Sequence, residues 1–273
     1  MVRRRPLVAS LVASLAALGI GVPRAQAARS MRDPLRLGCD AALADSGLAG
    51  ALLQGFGRDT GLAVNLLPNP VLPMLDALAQ GELDVAFSNA PEAEARLEQQ
   101  GLAHDRRAIA AGAFVIVGPA PQRKANDPAG IAGLRDAAQA FTQLHAAGLA
   151  QPGSVRFLSA NDGSGALVCE QALWRQARQA PALPWYVPAD ERTPVLAQAR
   201  AAGAYALVER GVWLVHGGAP LAVLVEADVR LAEAVHVLRS FRSGHPAAAL
   251  FVSWIAGPKG RRIVAAQRAY RAP

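Results

Sequence analysis

The chain predicts an α/β fold made of two successive α/β sets. Short continuous apolar runs of strand length alternate with longer segments whose apolar residues recur every three or four positions. Strands that are apolar throughout, lying between amphipathic helices, indicate a parallel sheet covered on both faces. One polar, proline-bearing stretch, residues 120–130, separates the sets and reads as a crossing between domains.

In order, Leu35, Arg36 and Leu37 form a short strand that ends in the loop 38–45. A helix starts near Ser46, carries Leu48, Leu52 and Phe56 on one face, and stops at Gly61. Residues 62–67 make the next strand. The helix 71–80 follows with Leu72, Leu75 and Leu78 in phase, then the strand 85–87. Pro91 opens another helix, capped by Asn89 or Ala90. Residues 114–117 are a strand closed by Gly118-Pro119. The second set reads as helix 134–147, strand 155–158, helix 165–177, a proline-rich loop, helix 193–202 and strand 205–208. Strands 221–225 and 235–238 come next, and two closing helices carry Phe251 and Trp254, then Ile263 and Val264.

The first 27 residues are laid out as a secretory signal. Arg3, Arg4 and Arg5 precede an apolar run from 7 to 22, and Ala25-Gln26-Ala27 places small residues at a cleavage site. The run is short of the ~20 apolar residues that span a bilayer. Cleavage near Ala27 and a periplasmic location are therefore expected. Removing four arginines lowers the formal charge from +7 to +3. The basic pI then gives little reason to expect nucleic acid. Cys39 and Cys169 permit one disulfide in an oxidising compartment; a bridge over so long a loop would stabilise by ~4–5 kcal/mol in the chain-entropy model.

Ligands of open α/β sheets sit beyond the carboxyl ends of strands, near helix N-termini. Four loops qualify. They contain Cys39, Asp40, Ala41 and Ala42; Asn69 and Val71; Ser88 and Asn89; and Ser159, Ala160, Asn161, Asp162 and Ser164. Several of these residues have ordinary structural uses. Asp45-Ser46 and Ser164 are helix N-caps, and Asn161, Asp162 and Gly163 form turns. Asp40 has no such need. The five histidines show no ligand spacing, so no metal or cofactor is expected. A glycine-rich phosphate loop and a Gly-x-Ser-x-Gly elbow are both missing, and the chain is not read as an enzyme. The four tryptophans read as core or cleft walls.

Over most of its length, from about Leu35 to Gln267, the chain resembles the tungstate-type solute-binding proteins of bacterial ATP-binding-cassette (ABC) importers, a branch of the type II periplasmic binding proteins. The resemblance is carried in order by Asp45-Ser46-Gly47, Asp84-Val85, Asn89-Ala90-Pro91-Glu92, Arg106-Arg107 and Phe114-Val115-Ile116-Val117-Gly118-Pro119. It continues through Asp127-Pro128-Ala129-Gly130, Ser164-Gly165, Glu170, Leu173-Trp174, Gly203-Ala204-Tyr205 and Arg210-Gly211. It implies two lobes, 33–118 with 222–273 and 119–221, that close on a small ligand or ion. It also implies a membrane permease as partner and a monomer.

The cleft loops depart from the family. Cys39, Asp40, Ala41, Ala42 and Leu43 stand where the family has threonines and a serine. Pro70-Val71-Leu72 replaces Gly-Thr-Gly, and Ala160 aligns with a cleft arginine. A tetrahedral oxoanion needs donors and a compensating cation. A desolvated carboxylate beside it would repel it by roughly several kcal/mol at an effective dielectric near ~20. An altered solute, neutral or cationic, with Asp40 and Asp162 as acceptors is one expectation. An oxoanion held by backbone N–H groups of 45–47 and 164–165 is another. The third is a scaffold that has lost its ligand and acts as a sensor or interaction module.

Overall fold

The computed structural model of the chain describes residues 29–122, 126–190 and 192–273. The expected signal, 1–27, lies outside them. The first set comprises β1 (Leu35–Asp40), α1 (Ala41–Asp45), α2 (Leu48–Thr60), β2 (Val64–Asn69), α3 (Val71–Gln80), β3 (Val85–Ser88), α4 (Pro91–Gln99) and β4 (Ala103–Pro119). Next come α5 (Ala137–Ala150), β5 (Phe157–Ser159), α6 (Gly165–Ala177), β6 (Tyr186–Pro188), α7 (Val195–Ala202), β7 (Ala206–Glu209), α8 (Arg210–His216) and β8 (Leu221–Val225). A 3₁₀ turn (Val229–Leu231) leads to β9 (Ala232–Ser240), α9 (Ala248–Ile255) and α10 (Pro258–Ala265). Among the described residues no helix is long and apolar enough to cross a membrane.

The helices of the first set form where the apolar period puts them. α2 buries Leu48, Leu52 and Phe56 and ends at Gly61, whose φ of 70° is the left-handed cap that glycine tolerates. Asp45-Ser46 does not cap α2; Gly47 occupies that position, and Ser46 donates its hydroxyl back to the Leu43 carbonyl. β1 pairs in parallel with β2 and β3. All four residues of β3 are buried, as a strand covered on both faces requires.

Beyond β3 the all-parallel expectation fails. The sheet runs β2-β1-β3-β9-β4-β7, with β8 also on β4. β9 is antiparallel to β3 and β4, and β4 is antiparallel to β7 and β8. None of these antiparallel pairs joins strands adjacent in the chain; helices intervene in each.

The 17-residue β4 is also the crossing between the sets. Through Ala113 it pairs with β9; from Phe114 onward it pairs with β7 and β8. The chain therefore crosses inside a strand, ahead of the polar stretch 120–130. Only 114–117 reads as strand in the sequence, because the first half of β4 carries His104, Asp105, Arg106 and Arg107 on a partly exposed edge. β8 packs on the far half of β4, so the expected lobe boundary at 222 falls within a strand of the second set.

Two apolar cores hold each end. Leu35, Leu37, Phe56, Phe87 and Phe251 pack on one face of the first lobe, and Val71, Met74, Leu78 and Leu238 on the other. In the second lobe the far half of β4 divides by the period-two rule. Phe114 and Ile116 join Phe141, Phe157, Trp174 and Trp185, while Val115 and Val117 join Leu196, Val208 and Leu221. Each such side chain contributes about 1.5–3 kcal/mol by leaving water. Trp174 and Trp185 are thus core residues. The two cysteines are free: Cys39 is in the first core and Cys169 is half-buried in the second lobe.

Candidate functional site

The carboxyl ends of β1, β2, β5 and β7 open on one cleft of about 330 Å³ between the two lobes. Ala41, Ala42, Asp45, Pro68, Asn69 and Pro70 line it from the first lobe. From the second come Ala160, Asp162, Ser164, Asp190, Arg192, Thr193 and Glu209, with Pro194, Leu196, Val208 and Val212 as apolar wall. A hollow of about 500 Å³ beside it shares Asp45, Pro194, Leu196 and Val212. This is the size class of a pocket for a small organic solute, about 300–1,000 Å³.

Of the residues expected from sequence, Ala41, Ala42, Asn69, Ala160, Asp162 and Ser164 meet on this lining. Ser164 also caps α6, its hydroxyl accepting the Leu167 N–H at 3.3 Å, and Asp162 accepts the Ser164 N–H at 2.9 Å. Their capping and turn roles and their place on the wall coexist.

Asp40 and Asn89 sit immediately behind the wall. The Asp40 Oδ1 accepts the Ala42 N–H at 3.0 Å, while its Oδ2 is buried with no hydrogen-bond partner. Asn89 donates its amide to Glu233 at 3.0 Å and leaves its own Oδ1 unpartnered. The lobes touch here: a Cβ built on Gly165 at the start of α6 would lie 2.3 Å from the Asn89 Oδ1. Only a glycine lets α6 approach so closely.

The other expected residues are elsewhere. Cys39 is in the core, where burial first and then Asp40 push its thiol well above the ordinary value, so it is no nucleophile. Val71 is the first residue of α3 and is buried in the apolar core. Ser88 is buried and accepts the Ala90 N–H at 3.3 Å. Ser159 is buried beside Glu170 and Tyr186, and Asn161 is an exposed turn residue with φ 50°.

Four charged residues of the lining escaped the sequence reading as ligand groups: Asp45, Asp190, Arg192 and Glu209. Glu209 had a signal, since it follows the expected strand 205–208 at its carboxyl end. Arg192 had none, because β6 and its loop hide among the prolines of 181–194. Among the described residues it is the one cation on the cleft lining, and it is exposed.

The electrostatics are set by unpaired acids. Burial raises Asp40 to about 7, against the backbone N–H groups of Ala42, Gly165 and Leu43, which favour the ionised form. Burial and then Asp40 and Glu233 push Glu209 far up. Glu233 rises to about 8, again through burial, although its Asn89 bond opposes this. All three carboxyls are thus pushed toward the acid form, which can donate as well as accept. Among the described residues no group of three or more His, Cys, Asp and Glu is arranged to hold a metal ion.

A family model described as a PBP superfamily domain matches residues 28–244. The chain belongs to the PBP superfamily. Its fold within that superfamily is that of the type II periplasmic binding proteins. It is similar to an ABC transporter anion-binding protein, so named, of Haloferax volcanii, at 33% identity over 171 residues. That match covers 62% of this chain and 47% of the relative, so it spans about half of that protein's length. The tungstate-binding protein TupA of Peptoclostridium acidaminophilum is 27% identical over 229 residues, 81% of this chain and 76% of that one. Among solved structures, the tungstate ABC transporter protein of Geobacter sulfurreducens superposes with a TM-score of 0.73 at 27% identity, covering 86% of this chain and 99% of that one.

Proposed function

We propose that this chain is the solute-binding component of an ABC importer, exported to the periplasm by its N-terminal signal, that captures a small solute and presents it to a membrane permease. It works by binding and release and catalyses nothing. The observation that carries this reading is the cleft at the strand carboxyl ends, lined from both lobes, in a member of the PBP superfamily. Lobe closure on a hinge at β4 and at the return before β9 would trap the solute.

The lining also bears on the solute. Asp45, Asp162, Asp190 and Glu209 face a single guanidinium, and hydroxyls are limited to Ser164 and Thr193. Such a wall favours a solute with cationic or hydrogen-bond-donating groups over a compact dianion. A second reading, an oxoanion, is supported by Arg192 and by the names of the relatives. Arg192 would then supply the positive charge absent at Ala160. The periplasmic setting and the permease are drawn from those relatives' kind.

Calorimetric titration with tungstate, molybdate, divalent cations and amino acids separates the readings. Heat from amino acids and none from tungstate is the expected result. Micromolar or tighter tungstate binding, lost in Arg192→Ala, would replace the first reading by the second. No response to any of these solutes would leave the cleft without a transport role.

A further inference from the structure

Asp40, Glu209 and Glu233 gather where the lobes meet, with exposures of 0%, 5% and 2%. Asp40 ends β1 in the first lobe and faces Asp162 and the Gly165 amide of the second. Glu209 ends β7 in the second lobe and faces Asp40 and Glu233 of the first. Each carboxyl keeps one buried oxygen without a hydrogen-bond partner.

Buried ionised carboxylates need a counter-charge. The groups facing this cluster do not supply one. Asp45 on α1 and Asp162 before α6 are acids. Cys169 of α6 and Tyr270 near the C-terminus are neutral, and burial with these same carboxyls raises both further. Asn89 offers Glu233 one amide donor. The neighbouring Arg210 is held outside by Glu226, and Arg192 is on the exposed rim. Since no metal-holding group exists among the described residues, protons are what neutralises the cluster.

We propose that closing the lobes takes up protons on Asp40, Glu209 and Glu233, so that the shut form gains on the open one as the pH falls. The proposal rests on the reading of the cleft as a closing solute site. When the lobes part, Asp40 and Glu209 regain water and ionise; when they shut, the same groups lose water and must be neutral. Linkage then requires the open form to gain on the closed one as pH rises, by about tenfold per pH unit for each proton released. This window opens above the ordinary carboxyl values and ends as the pH rises through about 7 for Asp40 and about 8 for Glu233.

The test uses the solute-free protein. Small-angle X-ray scattering at pH 5.5 and pH 8.5 should show a larger radius of gyration at the higher pH. The triple variant Asp40→Asn, Glu209→Gln, Glu233→Gln should give one compact radius at both. Infrared spectra at pH 7 should contain the carbonyl band of protonated carboxyl groups, and the same variant should weaken it to the share of Glu170, which burial also raises to about 7. If the triple variant does not fold, Glu209→Gln alone should halve the scattering response and weaken the band. A radius independent of pH in the wild type, or a band untouched by the substitutions, would overturn the proposal. Solute binding with a pH-independent Kd and no acid band would remove the proton uptake and leave the solute-binding function standing. An intact pH response with no solute bound would support the uptake and count against the transport role.

Discussion

Glu94, on α4 where it packs against the β4–β9 ladder, and Glu233, on β9 itself, are two buried glutamates whose carboxyls are pushed in opposite directions from the usual value. Glu94 is 0% exposed and Glu233 2%. Glu94 meets Arg106 of β4 at 2.7 Å and His236 of β9 at 2.8 Å, and also accepts the Ala90 N–H at 3.1 Å. Glu233 stands in register with Gly112 of β4 and has Asn89 as its one hydrogen-bond partner. Burial works against ionisation at both. At Glu94 the bonds from His236, Ser88 and Arg106 overcome it and hold the carboxyl below its usual value; at Glu233 nothing does. Depth therefore does not decide the charge of a carboxylate. The neighbours decide it: Arg106 and His236 reach Glu94 from the ladder, whereas Gly112 across the ladder brings Glu233 no charge.

The contrast can be broken most strongly at Arg106. Arg106→Ala removes the guanidinium from Glu94 and leaves it buried with His236, Ser88 and the Ala90 N–H, and unfolding in urea should show a loss of about 3 kcal/mol. At Glu233 the expected sign is the reverse. Its raised value means that its contribution is fully present below the ordinary glutamate value and is lost as pH rises through about 8. Glu233→Gln should match the wild type near pH 4.5 and exceed it at pH 8 by on the order of 2 kcal/mol, read from denaturant midpoints at each pH. Glu94, held low, should give the opposite limb, with stability lost as pH falls through its depressed value. Equal pH profiles for Glu94→Gln and Glu233→Gln would abolish the distinction.

Gly165→Ala sharpens the comparison at the lobe contact. Its Cβ would press on the Asn89 Oδ1, disturbing both Asn89's bond to Glu233 and the approach of α6. A destabilisation of about 1–2 kcal/mol is expected from such overpacking, with a larger radius of gyration at pH 5.5. The smallest effect belongs to Arg192→Ala. Its exposed side chain should change stability by less than about 0.5 kcal/mol, while calorimetry reads its part in binding any anionic solute.

The alternation of apolar runs and helix periods was enough to place β1, β2, β3 and most of the helices. Asp40 stood out in the sequence as a carboxylate without a structural need, yet it caps α1 by accepting the Ala42 N–H. The first half of β4 was not legible. A partly exposed edge that tolerates Arg106 and Arg107 lacks the continuous apolar signal of a covered strand. β6 was hidden by prolines, and Arg192 with it. The acid cluster was invisible for a different reason: Asp40, Glu209 and Glu233 are far apart in the chain, and nothing local shows that they meet.

Local pattern thus determined the α/β class and the loops at the strand ends, since periodicity is a property of neighbours along the chain. Tertiary structure alone decided which acids have counter-charges, because protonation depends on what lies across a ladder or a cleft once water has gone.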